Sequence, residues 1–238
     1  MKFVNKIVLG TMKLNKYFTD INELSNFLDY AYKKGIKQLH ISNEYNSYNL
    51  LSRSLKKINK KKFTLIIKLS EPKTDRVKFS LERFKQKINE YRKDLGKRHT
   101  YIIQLVNRYK CNNPEEYLIY EQKTFNTIKS TIIKMKETSV IKSFYFFPYH
   151  KNENKIKKHQ FISGITNYRN LYEKQGDNYA KQNNFKIIAM RTFGGNEKKF
   201  KKKNLKKLIM FNLNSKLVKK VIVGTNNKIQ LDQLLNAC

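Results

Sequence analysis

Short apolar runs alternate with amphipathic stretches along the whole chain, and this alternation narrows the possible folds more than any other feature. Residues 6–10 (KIVLG) read as a strand. Asp20 followed three places later by Glu23 has the spacing of a capping box. Leu24, Phe27, Leu28 and Ala31 then recur at helical spacing, and Gly35 stands where a helix stops. A strand over 36–41 follows, then a helix over 50–58 with Leu51, Leu55 and Ile58 on one face. The β-branched run 63–67, bounded by Pro72, reads as a strand, and Leu81, Phe84, Ile88 and Tyr91 mark a helix. After a strand at 101–106, a long helix begins behind Pro114 and carries Phe125, Ile128, Ile132 and Met135. An aromatic strand covers 141–147. The rhythm continues with strands at 161–165, 185–190 and 221–223 and helices at 171–182, 204–217 and 229–235.

That makes about eight strand–helix units in 238 residues, the count and size of a (β/α)8 TIM barrel, here trimmed at its C-terminus. The strands are mostly apolar rather than alternating, as parallel strands covered on both faces should be. No strand is followed by G-x-G-x-x-G, which argues against an open dinucleotide-binding sheet. Few Gly and Pro and no low-complexity linker leave residues 1–238 as one domain.

The charge invites a different reading. Lys and Arg number 51 against 18 Asp and Glu, a formal net charge of +33. Lysines are spread along the chain with Asn, Ile and Tyr, though they cluster at Lys60, Lys61 and Lys62 and across residues 198–207. No helix-turn-helix or aromatic RNP strand accompanies them, so a solvated basic surface is favoured and nucleic acid is the partner of last resort. Two cysteines, Cys111 and Cys238, give neither a disulfide framework nor a Cys-based zinc site, and no metal is expected. No signal-peptide h-region and no apolar run of membrane-spanning length occurs. The expectation is a soluble cytoplasmic protein, a monomer or weak oligomer.

Four segments resemble the aldo-keto reductases. Leu9, Gly10, Thr11 and Met12 look like that family's opening strand end. Residues 35–45 (GIKQLHISNEY) align without a gap to its G-I-x-x-x-D-T-A-x-x-Y signature. Lys68 ends the third strand, where the family keeps its active-site lysine. Residues 221–225 (VIVGT) and 230–237 (QLDQLLNA) resemble its C-terminal cofactor motif, although Gln233 and Leu234 replace the motif's Glu and Asn. Weaker echoes are residues 190–195 and Asn167 with Leu171 and Tyr172. The matches run in family order from residue 9 to residue 237.

The resemblance implies NADPH-dependent hydride transfer to a small aldehyde or ketone, sugar-derived carbonyls included. A phenol with an ordinary pKa near ~10 needs help to exchange a proton near neutrality, and a neighbouring lysine can supply it. Tyr45 and Lys68 match the family's tyrosine and lysine. His40 stands in the place of its aspartate. The strand-four histidine has no counterpart, and the register leaves Val106, Asn107 or Arg108 there, with Asn107 favoured as an amide that could hold a carbonyl oxygen. Glu44 is the alternative carboxylate for Lys68, although a solvated loop residue is the favoured reading of it. For the cofactor the resemblance implies Gly224, Thr225 and Asn226 near the adenosine phosphate and Gln230 and Asp232 near the adenine. Asn167 joins that set, and Arg191 and Lys228 could add charge for the 2′-phosphate. The end at Cys238 implies a pocket left open by the lack of a long C-terminal loop. With two departures from the family's four catalytic positions, a cofactor-binding pseudoenzyme is the alternative.

Overall fold

The computed structural model describes residues 3–58, 60–74, 76–109, 111, 113–148, 159–174, 176–194, 205–225 and 227–238. Eight parallel strands close into a barrel in sequence order, so each strand neighbours the next and β8 returns to β1. The strands are β1 (Ile7–Gly10), β2 (Gln38–Ile41), β3 (Thr64–Ser70), β4 (Thr100–Val106), β5 (Ser143–Phe147), β6 (Gly164–Tyr168), β7 (Lys186–Met190) and β8 (Val218–Val223). The helices are α1 (Ile21–Lys33), α2 (Tyr48–Lys57), α3 (Leu81–Leu95), α4 (Pro114–Glu137), α5 (Asp177–Gln182), α6 (Leu205–Leu213) and α7 (Lys228–Asn236). Closure is set by the pairing of Ile7 with Val221 and Leu9 with Val223.

The period-two geometry of a strand separates two apolar layers. Val8, Ile66, Ile102, Tyr145 and Ile188 form a separate buried cluster with Ile222, the plug that fills the lumen. Their chain neighbours Leu9, Leu65, Ile67, Ile103, Phe144 and Ile187 belong to the larger cluster that also takes in Leu24, Phe27, Leu28 and Ala31 of α1. On β2, His40 pairs with Ile66 at the level of the plug, and on β3 and β4 the next lumen-parity positions toward the strand ends are Lys68 and Gln104. The pairing of Lys68 with Gln104 puts them at one level. Polar side chains therefore sit just above an apolar plug, at the C-terminal end where barrel enzymes carry their sites.

The start and stop signals of the first half hold. Asp20 accepts the amides of Asn22 and Glu23 at 2.6 and 3.2 Å. Asn113 accepts the amide of Glu116 at 2.8 Å, with Pro114 as the first residue of α4. Gly35 follows α1 at φ +93°.

The second half departs in four places. β6 begins at Gly164 rather than 161, because Phe161 and Ile162 are buried as part of the incoming loop. A Cβ on Gly164 would stand 2.2 Å from the carbonyl oxygen of Lys186, so glycine is what lets β6 lie against β7. The helix expected over 171–182 forms only as α5. Arg169 and Lys174 make an antiparallel bridge instead, and Asn170 Oδ1 accepts the amide of Tyr172 at 2.9 Å in a tight turn. α6 stops at Leu213, short of 217, while Asn204 lies outside the described residues together with most of the 198–207 lysine run. β8 starts at Val218 instead of Val221, since Lys219 and Lys220 interrupt its apolar pattern without interrupting its backbone.

Candidate active site

The C-terminal ends of β2, β3 and β4 converge on a compact polar group. Lys68 Nζ lies 3.0 Å from Glu44 Oε2, and Arg108 places a terminal guanidinium nitrogen 3.1 Å from the same oxygen. The Tyr45 hydroxyl lies 3.4 Å from His40 Nδ1, and Lys68 Nζ lies 5.7 Å from the centre of the Tyr45 ring. Tyr91, from α3, reaches under the group and donates to Asn43 Oδ1 at 2.8 Å. It holds the 42–45 loop while lying 3.2 Å from the Lys68 carbonyl.

Several expectations change here. Glu44 is no solvated loop residue. Burial would raise its carboxyl, but the hydrogen bond and charge of Lys68, with the charge of Arg108, outweigh that and hold it below the usual range. Lys68 is thus paired with a carboxylate, supplied from four residues beyond the His40 position. Asn107 does not enter the group: its Oδ1 accepts the amide of Tyr109 at 3.1 Å, and its amide lies beside the buried Glu121 carboxyl of α4. Strand parity explains it, because Gln104 faces the lumen and Asn107, three residues on, faces the helix layer while Arg108 faces in. No hydrogen bond joins Lys68 to the Tyr45 hydroxyl, and the ammonium meets the ring instead at 5.7 Å. The Tyr45 phenol is pushed up, chiefly by burial and then by Tyr91, Glu44 and Tyr168, and the cation that opposes this is Arg108.

His40 is the deepest member. Its Nε2 lies 2.7 Å from Gln104 Oε1, and Gln104 turns its Nε2 toward Met190 Sδ at 3.5 Å. With a carbonyl oxygen facing the ring, we assign the hydrogen to Nε2, which leaves Nδ1 to accept the Tyr45 hydroxyl. Burial lowers the imidazole to about 4, with Lys68 adding to the shift and Gln104 opposing it. The ring is therefore neutral near pH 7.

An unfolded histidine titrates near 6.5, so between that value and about 4 the unfolded state binds more protons. Stability contributed by neutral His40 is then complete above that window and is lost on descending through it, on the order of 3 kcal/mol in full. His99, also lowered to about 4, acts in the same direction, whereas Glu121, raised by burial to about 7, acts oppositely. His40→Gln is expected to give a flatter stability–pH curve than the unchanged protein over this window, measured by denaturant midpoints. Parallel curves would show that His40 is not held neutral.

The cofactor-side expectations separate into two groups. Gly224 is exposed, and a Cβ there would meet nothing within 4 Å. Thr225 Oγ1 is buried without a hydrogen-bond partner, as are both polar atoms of the Asn167 side chain, which packs beneath Gly176. Arg191 lies on the rim with its guanidinium 3.9 Å from the centre of the Tyr168 ring. Open backbone at Gly224, orphaned polar atoms at Thr225 and Asn167 and a rim cation fit an anionic, hydrogen-bonding cofactor. Asp232 does not join them: it accepts Tyr30 Oη at 2.6 Å and pairs with Lys34 at 3.1 Å, fastening α7 to α1. Lys228 sits at the same seam, 5.3 Å from the centre of the Tyr30 ring. Gln230 is exposed on the first turn of α7, its amide capped by Asn227 at 2.8 Å. Asn226 and Gly195 lie outside the described residues. Among the described residues, no group of three His, Cys, Asp or Glu side chains gathers as a metal site, and no helix is long and apolar enough to cross a membrane.

The fold is a closed (β/α)8 barrel with Tyr45, Lys68 and Glu44 gathered at its C-terminal rim. The chain belongs to the aldo/keto reductase family, whose model matches residues 6–144. Family and fold make it an oxidoreductase acting on carbonyls, in a family that binds nicotinamide cofactors. No curated protein matches it in sequence. Solved structures match it in fold. A protein from Pseudomonas aeruginosa assigned as an aldo-keto reductase is 15% identical with TM-score 0.72, over 98% of this chain and 90% of its own. An aldo-keto reductase from Bacillus halodurans in its holo form is 14% identical with TM-score 0.68, over 98% and 86%. The glycerol dehydrogenase of Gluconobacter oxydans is 14% identical with TM-score 0.63, over the same 98% and 86%.

Proposed function

We propose that the protein is an NADPH-dependent reductase of small aldehydes or ketones, with Tyr45 as the proton donor. The observation that carries this reading is the convergence of Lys68 and Arg108 on Glu44 beside Tyr45, which restores a carboxylate to a site whose sequence has lost one. When bound, the reduced nicotinamide supplies a hydride to the carbonyl carbon. The Tyr45 hydroxyl gives its proton to the carbonyl oxygen, so that an alcohol and the oxidised cofactor result. Arg108 is the cation that favours the phenolate left behind. His40, neutral and fixed by Gln104, holds the Tyr45 hydroxyl in place between turnovers. Gly224, Thr225, Asn167 and Arg191 are the residues that would hold the cofactor, with Arg191 favouring a 2′-phosphate.

The second reading, a cofactor-binding pseudoenzyme, is favoured by one observation: no hydrogen bond joins Lys68 to Tyr45, whose phenol is harder to ionise than a free one. Purified protein mixed with NADPH and a panel of carbonyl compounds separates the two. Loss of cofactor absorbance on adding a carbonyl supports the reductase. A cofactor fluorescence change with no turnover on any compound overturns it in favour of the binder.

A further inference from the structure

Two cations on the rim of β3 and β4 share one oxygen of one carboxylate. Lys68 Nζ and Arg108 both reach Glu44 Oε2, at 3.0 and 3.1 Å. The neighbouring acid, Glu71, is committed to Arg83 and Lys87, each at 2.8 Å. His40 is neutral. Among the described residues, the group around Tyr45 therefore keeps one positive charge in excess.

Arg108 is also under-used. Its guanidinium carries five N–H donors. Beyond Glu44, it reaches the backbone carbonyl of Lys73 at 3.5 Å, the outer limit of a hydrogen bond, and no other acceptor among the described residues. The side chain is 31% exposed, half open at the mouth of the barrel and within electrostatic reach of Tyr45. A planar fork with free donors suits a bidentate oxyanion better than a neutral carbonyl oxygen.

Resting on the reductase reading, we propose that the substrate carries an oxyanion group, a carboxylate or a phosphate, that docks on Arg108 while its carbonyl meets Tyr45. Arg108 is then a specificity residue, and Glu44 holds it in position until substrate arrives. The high net charge of the chain draws any anion weakly, so the test must separate Arg108 from that background.

Paired aldehydes at fixed ionic strength supply the test: 4-oxobutanoate against butanal for a carboxylate, and glyceraldehyde 3-phosphate against glyceraldehyde for a phosphate. The anionic member of one pair is expected to show a kcat/KM about tenfold or more higher, and the pair that shows it identifies the oxyanion. Arg108→Gln should collapse that ratio. Lys97→Gln, which removes the same charge from an exposed position at the opposite end of β4, should preserve it. A ratio near one for both pairs overturns the proposal, as does a preference that survives in R108Q or falls equally in K97Q. If neither these aldehydes nor any compound of the wider carbonyl panel is reduced, the reductase reading fails, and calorimetric titration with succinate and inorganic phosphate decides the oxyanion site alone. Saturable binding lost in R108Q and kept in K97Q supports it, and absence of binding overturns it.

Discussion

Tyr45→Phe is expected to lower kcat for carbonyl reduction by about 100- to 10,000-fold, the range general-acid catalysis contributes, while nicotinamide binding persists. The substitution removes one oxygen and nothing else. The ring keeps its packing against His40, whose centre lies 6.1 Å away, and its place 5.7 Å from the Lys68 ammonium. The hydrogen bond lost, to His40 Nδ1, is long at 3.4 Å. Its loss should cost about 1 kcal/mol of stability or less. Activity and stability therefore part company in this variant, which distinguishes a proton donor from a packing residue. Single-turnover reduction and cofactor fluorescence, measured on one preparation, check both halves. A kcat near that of the unchanged protein would remove Tyr45 from the chemistry.

The barrel was legible because its evidence is redundant. Each strand of the first half is an apolar run, each helix has its stripe, and caps such as Asp20 and Asn113 sit where the backbone needs them. The sequence pattern shows β8 short for a physical reason: Lys219 and Lys220, exposed and half-buried, break the apolar run of a strand whose end residues Val218 and Val223 are both buried. Lys220 reaches the Asn5 carbonyl at 2.7 Å near the bottom of the barrel, and burial with three neighbouring lysines lowers its ammonium to about 8. In the same way a motif fixes chain position but not direction. The family signature located Tyr45 and Lys68, and both arrive at the rim. It could not tell that the carboxylate for Lys68 would come from Glu44, because that pairing depends on how the 42–45 loop folds over β3. Chemistry favours Asn107, whereas counting in twos from the lumen residues Ile102 and Gln104 passes through Val106 to Arg108 and leaves Asn107 facing the helices. That parity was available in the residues 101–108, and only the position of the lumen plug was missing. Asp232 was placed by motif order, and its side chain points to the partner helix rather than the cofactor end.

The largest stability effect is expected where the site is held from behind. Glu71 follows β3 and is fully buried, yet it accepts Arg83 Nε at 2.9 Å, the Ser80 amide at 3.2 Å and Lys87 Nζ at 2.8 Å. Its own amide donates to the Val106 carbonyl at 3.2 Å. The Glu71 amide thus ties the end of β3 to the end of β4, and its carboxylate ties both, with Lys68 and Arg108, to the first turns of α3. Removing both cations by Arg83→Met with Lys87→Met strands a charge in the interior, which costs about 3–5 kcal/mol. For a chain of this length each kcal/mol moves Tm by roughly 2–4 °C, so the melting temperature should fall by about 6–20 °C. Adding Glu71→Met to the pair should restore much of the loss even though no ion pair returns. A triple variant as unstable as the double would mean that the cluster works through packing and hydrogen bonds at the β3–β4 rim rather than through charge. Any oxidoreductase activity would then have to fall with both variants alike, since Lys68 and Arg108 hang from the strand ends that Glu71 joins.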